Sequence, residues 1–174
     1  AYEIYQCDWS SDVCSSDLVP GSWRLDPRML PSCDDPCILR VLPDADGAAF
    51  HGAAWAATYQ ASDKSDRMGV RLSGPPLVGE GIAERVSAAV LPGTIQVPPD
   101  GQPIVLLADA QTIGGYPRLG QVIAADLSKA AQLRPGARVR FLPVTLEVAE
   151  AALVVRERAI GWLRQGMADK KLRK

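Results

Sequence analysis

The sequence contains few of the residues on which nucleophilic and metal-dependent active sites depend. Its 174 residues include a single histidine, His51, and four cysteines, and aromatic residues make up 6%. A Ser-His-Asp or Cys-His site needs a nucleophile and a third, orienting group beside the imidazole, and no such pattern accompanies His51. We therefore interpret His51 as a surface residue rather than a catalytic base.

A metal site is not indicated either. Beyond the first eighteen residues the cysteines are Cys33 and Cys37, which stand in the sequence CDDPC. Structural zinc usually takes four ligands from two paired motifs, so one cysteine pair and a distant histidine are too few. We predict no metal, and two thiols kept reduced in a cytoplasmic protein.

Long hydrophobic runs and strong charge imbalance are also missing. No run approaches the ~20 residues that a membrane-spanning helix needs, and the first eighteen residues lack the hydrophobic core of a signal peptide. The 19 basic and 20 acidic residues give a formal charge of −1, without a Lys/Arg cluster interleaved with aromatics before the C-terminal tail. These features predict neither a membrane nor a nucleic acid as partner.

The first eighteen residues differ in character from the rest of the chain. Ala1–Leu18 contains four acidic and no basic residues, and Asp8–Leu18 resembles the translation of a common sequencing-adapter primer. We interpret residues 1–18 as a cloning or assembly artefact and exclude them from reasoning about the fold. The alternative is a genuine acidic tail with a Cys7–Cys14 disulfide. Residues 19–36, rich in proline, are expected to form an irregular connector.

Short β-branched runs between proline and glycine residues fill the middle of the chain. Thr94–Val97, Ile104–Leu107 and Gln121–Ala124 have the pattern of strands joined by tight turns. About eight such strands predict a mainly β fold, a closed antiparallel barrel over residues 37–145. Closure is favoured because it leaves no exposed sheet edge.

Helical patterns follow the strands. Leu127–Leu133 is expected to form a short helix, which Arg134-Pro135-Gly136 would end. Residues 146–174 are predicted to be a C-terminal helix with a basic tail, and Thr145 stands where a helix cap is expected. In the strand before the central stretch, Met68, Val70 and Leu72 are predicted to share one face and Arg71 to lie on the other.

Chemically useful residues concentrate between Pro92 and Asp126. Asp109 follows a nearly all-apolar strand, a position where a carboxylate often faces a cavity. Gly114-Gly115 permits close approach of a ligand and offers N–H groups to a developing oxyanion, although the two glycines can equally form a sharp barrel corner. The catalytic residues predicted from this stretch are Asp109, Gln111 and Tyr116.

Side chains suited to a polar ligand lie nearby. Gln96 and Gln102 flank the predicted turn Pro98–Gly101, and their amides can donate and accept at once. Arg67 and Arg71 can present planar forks to a carboxylate or carbonyl, or can be solvated or paired structurally while Asp66 caps a turn. The predicted substrate-binding residues are Arg67, Arg71, Gln96, Gln102, Thr112, Gly114 and Gly115.

Three segments carry a family resemblance. GTIQVPPDGQPIVLLADAQTIGGYP (93–117), preceded by SDRMGVRLSGPPL (65–77) and followed by AADLSKAAQLRPGARVRF (124–141), resembles the allophanate hydrolase subunit 2 family. This family is also called the biotin-dependent carboxyltransferase or KipA family, and it includes the C subunit of bacterial ATP-dependent 5-oxoprolinase. The resemblance extends from about Ile38 to about Val144. It implies a cyclophilin-like barrel and a chain that is the C-terminal part of a protein roughly twice as long.

The resemblance implies three functions. The first is a 5-oxoprolinase subunit that, with companion subunits A and B (KipI-like), opens the lactam of 5-oxoproline to glutamate using ATP. The second is the carboxyltransferase component of a urea carboxylase or urea amidolyase, which moves carboxylate from carboxybiotin to an amide nitrogen. The third is a regulatory protein that antagonises a kinase inhibitor. The sequence has neither a Gly-rich phosphate loop ending in Lys-Ser/Thr nor a Met-Lys-Met biotin attachment site, so ATP or biotin is expected to act through partner subunits.

Overall fold

The structure of the chain, a computed structural model, describes residues 34–78 and 87–171. The segment predicted to be foreign, residues 1–18, lies outside the described residues, as does most of the predicted connector. The last residues of the basic tail, 172–174, lie outside them as well.

Strands dominate the described part of the chain. In chain order they are β1 Cys37–Pro43, β2 Tyr59–Ala61, β3 Gly69–Ser73, β4 Ala88–Ala89, β5 Thr94–Gln96, β6 Ile104–Leu106, β7 Ile113–Gly114, β8 Arg118–Val122 and β9 Arg138–Pro143. The helices are α1 His51–Ala56, α2 Leu127–Ala130 and α3 Leu146–Lys171, with 3₁₀ turns at Ala45–Phe50 and Ala124–Asp126.

Seven of these strands close into a barrel. Their order around the wall is β1-β8-β5-β6-β3-β2-β9, while β4 and β7 form a separate two-stranded ribbon. The predicted closed, mainly β barrel with a short helix and a C-terminal helix is confirmed. One seam departs from antiparallel pairing, because β9 returns to β1 in parallel, with Leu39 opposite Phe141.

The barrel interior is filled with hydrophobic side chains. Val70, Val105 and Ile95 stand opposite one another on β3, β6 and β5, and each is at most 3% exposed. Since side chains alternate along a strand, this row defines which residues of the three strands point inward. The buried cluster also includes Leu39, Val41, Leu72, Leu119, Val139 and Phe141.

The C-terminal helix begins where the sequence predicts. Thr145 directly precedes α3, and its carbonyl accepts a hydrogen bond from the Ala149 N–H at 3.1 Å. A hydrogen bond between the Thr145 and Glu147 side chains lowers the pKa of Glu147. Arg156 donates to the Ala124 carbonyl at 3.2 Å and so ties the helix to the turn before α2. None of the described helices combines the length and hydrophobicity that crossing a bilayer requires.

Tyr59 is buried in the core with an unsatisfied hydroxyl. The residue is 1% exposed, its oxygen has no hydrogen-bond partner among the described residues, and burial raises its pKa to about 12. A buried donor without a partner costs about 1–3 kcal/mol. We therefore expect Tyr59→Phe to raise the free energy of unfolding by about 1 kcal/mol in urea denaturation. A lower free energy would contradict this account of the hydroxyl.

A buried ion pair fastens the turn at Ala124–Asp126 to β1. The Asp126 side chain is fully buried and accepts from Arg40 Nε at 2.8 Å, Arg40 Nη2 at 2.8 Å and the Arg40 backbone N–H at 3.1 Å. Lys129 adds its ammonium group 3.2 Å from Oδ1. An aspartate before a short helix is typical of an N-cap, but here the side chain makes no cap hydrogen bond. The Asp126 carboxylate instead pairs with Arg40, which is distant in the sequence.

This carboxylate makes stability depend on pH. Burial by itself would raise the pKa of Asp126, but hydrogen bonds from Arg40 and Lys129 outweigh it and hold the pKa below the ordinary 3.8. The stabilisation is therefore complete above the unfolded-state pKa of about 3.9 and is lost as pH falls through the lower folded-state pKa. We expect the free energy of unfolding to fall with acidification in this window, and Asp126→Asn to flatten the profile. Parallel profiles for the two proteins would contradict the assignment.

Candidate functional site

A pocket of about 440 Å³ lies on the outer wall of the barrel. Arg71 stands opposite Ile104, and Ile104 stands opposite Gln96, so the three form a row across β3, β6 and β5. This row is one residue out of step with the interior row and therefore points outward. The described lining residues are Asp66, Met68, Gly69, Arg71, Gln96, Pro98, Pro99, Asp100, Ile104, Leu106, Gln111 and Tyr116.

Two turns shape the pocket, and each is held by an aspartate. Asp66 Oδ1 accepts from the N–H groups of Met68 at 2.8 Å and Gly69 at 3.1 Å. Asp100 Oδ1 accepts from the Gln102 N–H at 3.0 Å. The second turn is the one predicted at Pro98–Gly101, and its glycine takes a φ of +72°, which favours glycine. Both carboxylates therefore stabilise turns of the pocket wall.

Met68 does not lie on the strand face that the sequence pattern predicts for it. Val70 and Leu72 share the interior face and are buried, but Met68 is 44% exposed and lines the pocket. The prediction that it shares their face is wrong, because the Asp66 turn interrupts the strand and β3 begins only at Gly69. Alternation is informative only inside a strand.

Gln96 is the most enclosed polar residue of the pocket wall. It is 2% exposed, and its Nε2 atom has no hydrogen-bond partner among the described residues. The amide lies against Gly114 of the β4–β7 ribbon, where an added Cβ would collide with Nε2 and would lie 3.3 Å from Cδ. Gly114 thus leaves room for a side chain of the barrel wall.

Four of the residues predicted from the sequence meet at this pocket. Arg71 and Gln96 come from neighbouring parts of the wall, while Gln111 and Tyr116 come from the chain on either side of β7. Tyr116 is 47% exposed, so its ring is accessible to a ligand. That these four residues bind or act on a substrate stays a prediction.

The other predicted residues do not line the pocket. Arg67 and Asp109 pair with each other at 3.5 Å between Nε and Oδ2, with side chains 84% and 57% exposed. Gln102 binds the backbone of Gly74 twice, accepting from its N–H at 2.9 Å and donating to its carbonyl at 3.2 Å. Gly114 packs on Gln96 as described, and Thr112 and Gly115 are also absent from the described lining.

His51 also lies outside the described pocket lining. The residue is half-buried rather than at the surface, its ring stacks on Trp55 with centroids 5.1 Å apart, and Nε2 lies 3.3 Å from the Leu119 carbonyl oxygen. These contacts are structural.

Sequence reasoning missed the apolar floor of the pocket. Ile104 and Leu106 flank the inward Val105 on β6, so the alternation of the strand already placed them on the outer face. The missing information was that a strand hydrophobic on both faces must be covered outside as well as inside. Here that covering comes from the turns that border the pocket.

The lining combines an apolar floor with several hydrogen-bond donors. Donors come from Arg71, Tyr116 and the amides of Gln96 and Gln111, and carboxylates from Asp66 and Asp100. This set suits a small ligand with carbonyl or carboxylate oxygens. The lining does not fit a triphosphate, since it holds two carboxylates and a single arginine. Within residues 34–78 and 87–171, no group of three or more His, Cys, Asp or Glu side chains could hold a metal.

Residues 12–143 match the family model described as the carboxyltransferase domain, subdomain A and B. The chain belongs to this family. The resemblance drawn from residues 65–77, 93–117 and 124–141 is thereby confirmed. The matched range includes residues 12–18 of the segment that we predict to be foreign.

Two curated relatives are both named as the C subunit of 5-oxoprolinase. The chain is 42% identical over 127 residues to the Haemophilus influenzae protein, covering 71% of this chain and 40% of that protein. It is 37% identical over 161 residues to the Escherichia coli protein, covering 78% and 52%. The chain therefore spans about half the length, or less, of these relatives. A urea amidolyase from Lachancea kluyveri is 29% identical over 126 residues, which is 7% of that protein.

Solved structures support the same fold. TTHA0988 superposes with a TM-score of 0.58 at 34% identity, over 68% of this chain and 23% of that one. The Kluyveromyces lactis urea carboxylase superposes with a TM-score of 0.70 at 22% identity, over 77% and 13%. The second similarity concerns the fold alone.

Proposed function

We propose that this chain acts as part of a multi-subunit 5-oxoprolinase, the enzyme that opens the lactam of 5-oxoproline to glutamate with ATP. The observation that carries the proposal is the 42% and 37% identity to two proteins named as the C subunit of that enzyme. In this proposal the companion subunits correspond to A and B, and the nucleotide binds to them, because the pocket lining described above does not fit a triphosphate.

The pocket supports this proposal by its chemistry. Ile104 and Leu106 offer an apolar floor for the methylene groups of the lactam ring. Arg71 would bind the carboxylate of 5-oxoproline, which a guanidinium can hold with two hydrogen bonds. Gln111 and Tyr116 would donate to the lactam carbonyl oxygen, and such donors stabilise the negative charge that develops there on attack at the carbonyl carbon. Asp109, exposed beside Arg67, has no assigned role in this proposal.

A second candidate is carboxyl transfer to an amide nitrogen, with carboxybiotin supplied by another domain or subunit. The description of the matched family and the urea amidolyase relative favour it. The same donors would then bind the carbonyl oxygen of urea or of the ureido ring of biotin. The two candidates share the pocket and differ in the bond that is made or broken.

The deciding experiment is 5-oxoproline-dependent ATP hydrolysis with glutamate release, in a mixture of this protein and its A and B subunits. We expect glutamate to form only when this protein is present, with an A and B mixture as the control. If no glutamate forms while the three proteins are folded and bound to one another, the proposal fails. Carboxylation of urea, measured after a domain that supplies carboxybiotin is added to the mixture, would then support the second candidate, and its absence would favour a regulatory role.

A further inference from the structure

Two buried side-chain atoms lack a hydrogen-bond partner within the described residues. They are Tyr59 Oη and Gln96 Nε2. Buried polar groups are almost always paired, and each exception calls for an explanation. Tyr59 belongs to the hydrophobic core, whereas Gln96 forms part of the pocket wall. Only the second atom is in a position where a ligand can satisfy it.

The surroundings of Gln96 favour a role in binding. Its amide is covered by Gly114, so the donor is shielded from water as well as unpaired. The terminal torsion of a glutamine is broad, so a turn about it can exchange Nε2 with Oε1 and bring the donor away from Gly114, in a side chain that lines the pocket. A donor that gives up no hydrogen bond to water gains the full benefit of a ligand oxygen.

The row across the barrel wall adds a second point of recognition. Arg71 and Gln96 stand on either side of Ile104, two strand spacings apart, or about 10 Å between Cα atoms. Long side chains from both ends can reach a small molecule lying over Ile104. An anion at one end and a carbonyl oxygen at the other would match this pair.

We propose that Gln96 is a specificity-determining residue of this pocket, donating from Nε2 to the carbonyl oxygen of a small amide or lactam whose carboxylate is held by Arg71. The choice of 5-oxoproline as the first probe rests on the proposed function. The role of Gln96 in recognising carbonyl oxygens does not, since any carbonyl ligand of the pocket would use it.

The test measures binding of three related probes to the 174-residue chain by calorimetry. 5-Oxoproline carries both the ring carbonyl and the carboxylate, 2-pyrrolidinone lacks the carboxylate, and L-proline lacks the ring carbonyl. We expect Gln96→Met to weaken binding of 5-oxoproline and 2-pyrrolidinone about tenfold and to leave L-proline unchanged. Arg71→Met should weaken 5-oxoproline but not 2-pyrrolidinone.

A matched glutamine provides the control. Gln102 is half-buried, lies outside the described pocket lining and binds the backbone of Gly74. Gln102→Met should therefore lower the melting temperature and leave the three dissociation constants unchanged. Gln96→Met should raise the melting temperature and weaken binding of 5-oxoproline and 2-pyrrolidinone, because it removes a donor that has no partner within the described residues. A purely structural role for Gln96 would instead lower its melting temperature without changing the ranking of the probes.

The outcomes separate this inference from the proposed function. If the wild-type chain does not bind 5-oxoproline but binds 2-pyrrolidinone in a Gln96-dependent way, the role of Gln96 stands and the proposed substrate falls. If 5-oxoproline binds equally well to wild type and Gln96→Met, the proposed substrate stands and the role of Gln96 is overturned. Failure of all the carbonyl probes to bind the folded wild-type chain overturns the inference as well.

Discussion

Replacing Asp126 with asparagine should lower the free energy of unfolding by about 3 kcal/mol, because it leaves the Arg40 guanidinium without its buried counter-charge. The carboxylate is fully buried and receives three hydrogen bonds from Arg40. An asparagine of the same shape can keep one acceptor but turns an NH₂ group toward the cation. We expect the low end of the usual range, since the Arg40 side chain is 30% exposed and water can solvate it in part. Urea denaturation at neutral pH measures the difference.

A second aspartate–arginine pair gives a control with the same geometry. Asp35 accepts from Arg138 Nε at 2.8 Å and from Nη2 at 2.9 Å, but the two side chains are 68% and 57% exposed. Exposed pairs contribute little because water solvates both charges when the pair is broken. Asp35→Asn should therefore leave the unfolding transition nearly unchanged. Equal losses for the two variants would mean that burial is not what makes the Asp126 pair important.

Tyr116→Phe should lower turnover at least about tenfold in the complete enzyme while leaving the melting temperature nearly unchanged. Tyr116 lines the pocket and is 47% exposed, so its hydroxyl is available to a ligand and the folded chain does not depend on it. Loss of a donor to a developing oxyanion acts on the rate rather than on the fold. Glutamate formation and thermal unfolding of the same preparations measure the two quantities.

A tyrosine-to-phenylalanine change in the core, at Tyr59, provides the control. Tyr59→Phe removes a hydroxyl that has no partner within the described residues, and we expect it to stabilise the fold without changing turnover. Tyr116→Phe should thus change turnover without changing stability, and Tyr59→Phe should change stability without changing turnover. A large drop in melting temperature for Tyr116→Phe would instead favour a structural corner at Gly114–Tyr116, the alternative that the glycines of this segment also suggest.

Several features of the fold follow from local sequence patterns. Alternation on β3 predicted that Val70 and Leu72 share one face and that Arg71 lies on the other, and the structure buries the first two and exposes the third. The turn at Pro98–Gly101 followed from the fixed φ of proline and the freedom of glycine. These predictions succeed because strand faces and turns depend on residues within a few positions of one another.

The candidate site could be predicted only in part. Four of the predicted site residues, Arg71, Gln96, Gln111 and Tyr116, line one pocket, since all of them lie on adjoining strands or their connections. Gln102 looked equivalent to Gln96 in sequence, because both flank the same turn. The structure separates them: Gln96 is covered by Gly114, while Gln102 turns to Gly74, 28 residues away.

The sequence by itself determined a mainly β barrel, its tight turns, its C-terminal helix and its family. Tertiary structure alone decided that Asp126 joins Arg40 across 86 residues, that Arg67 pairs with Asp109, and that Gln96 Nε2, which has no partner within the described residues, lies beneath Gly114. Strand periodicity and turn geometry are local, so they can be read from the order of residues. The partner of a buried charge or amide depends on which distant strands the closed barrel brings together.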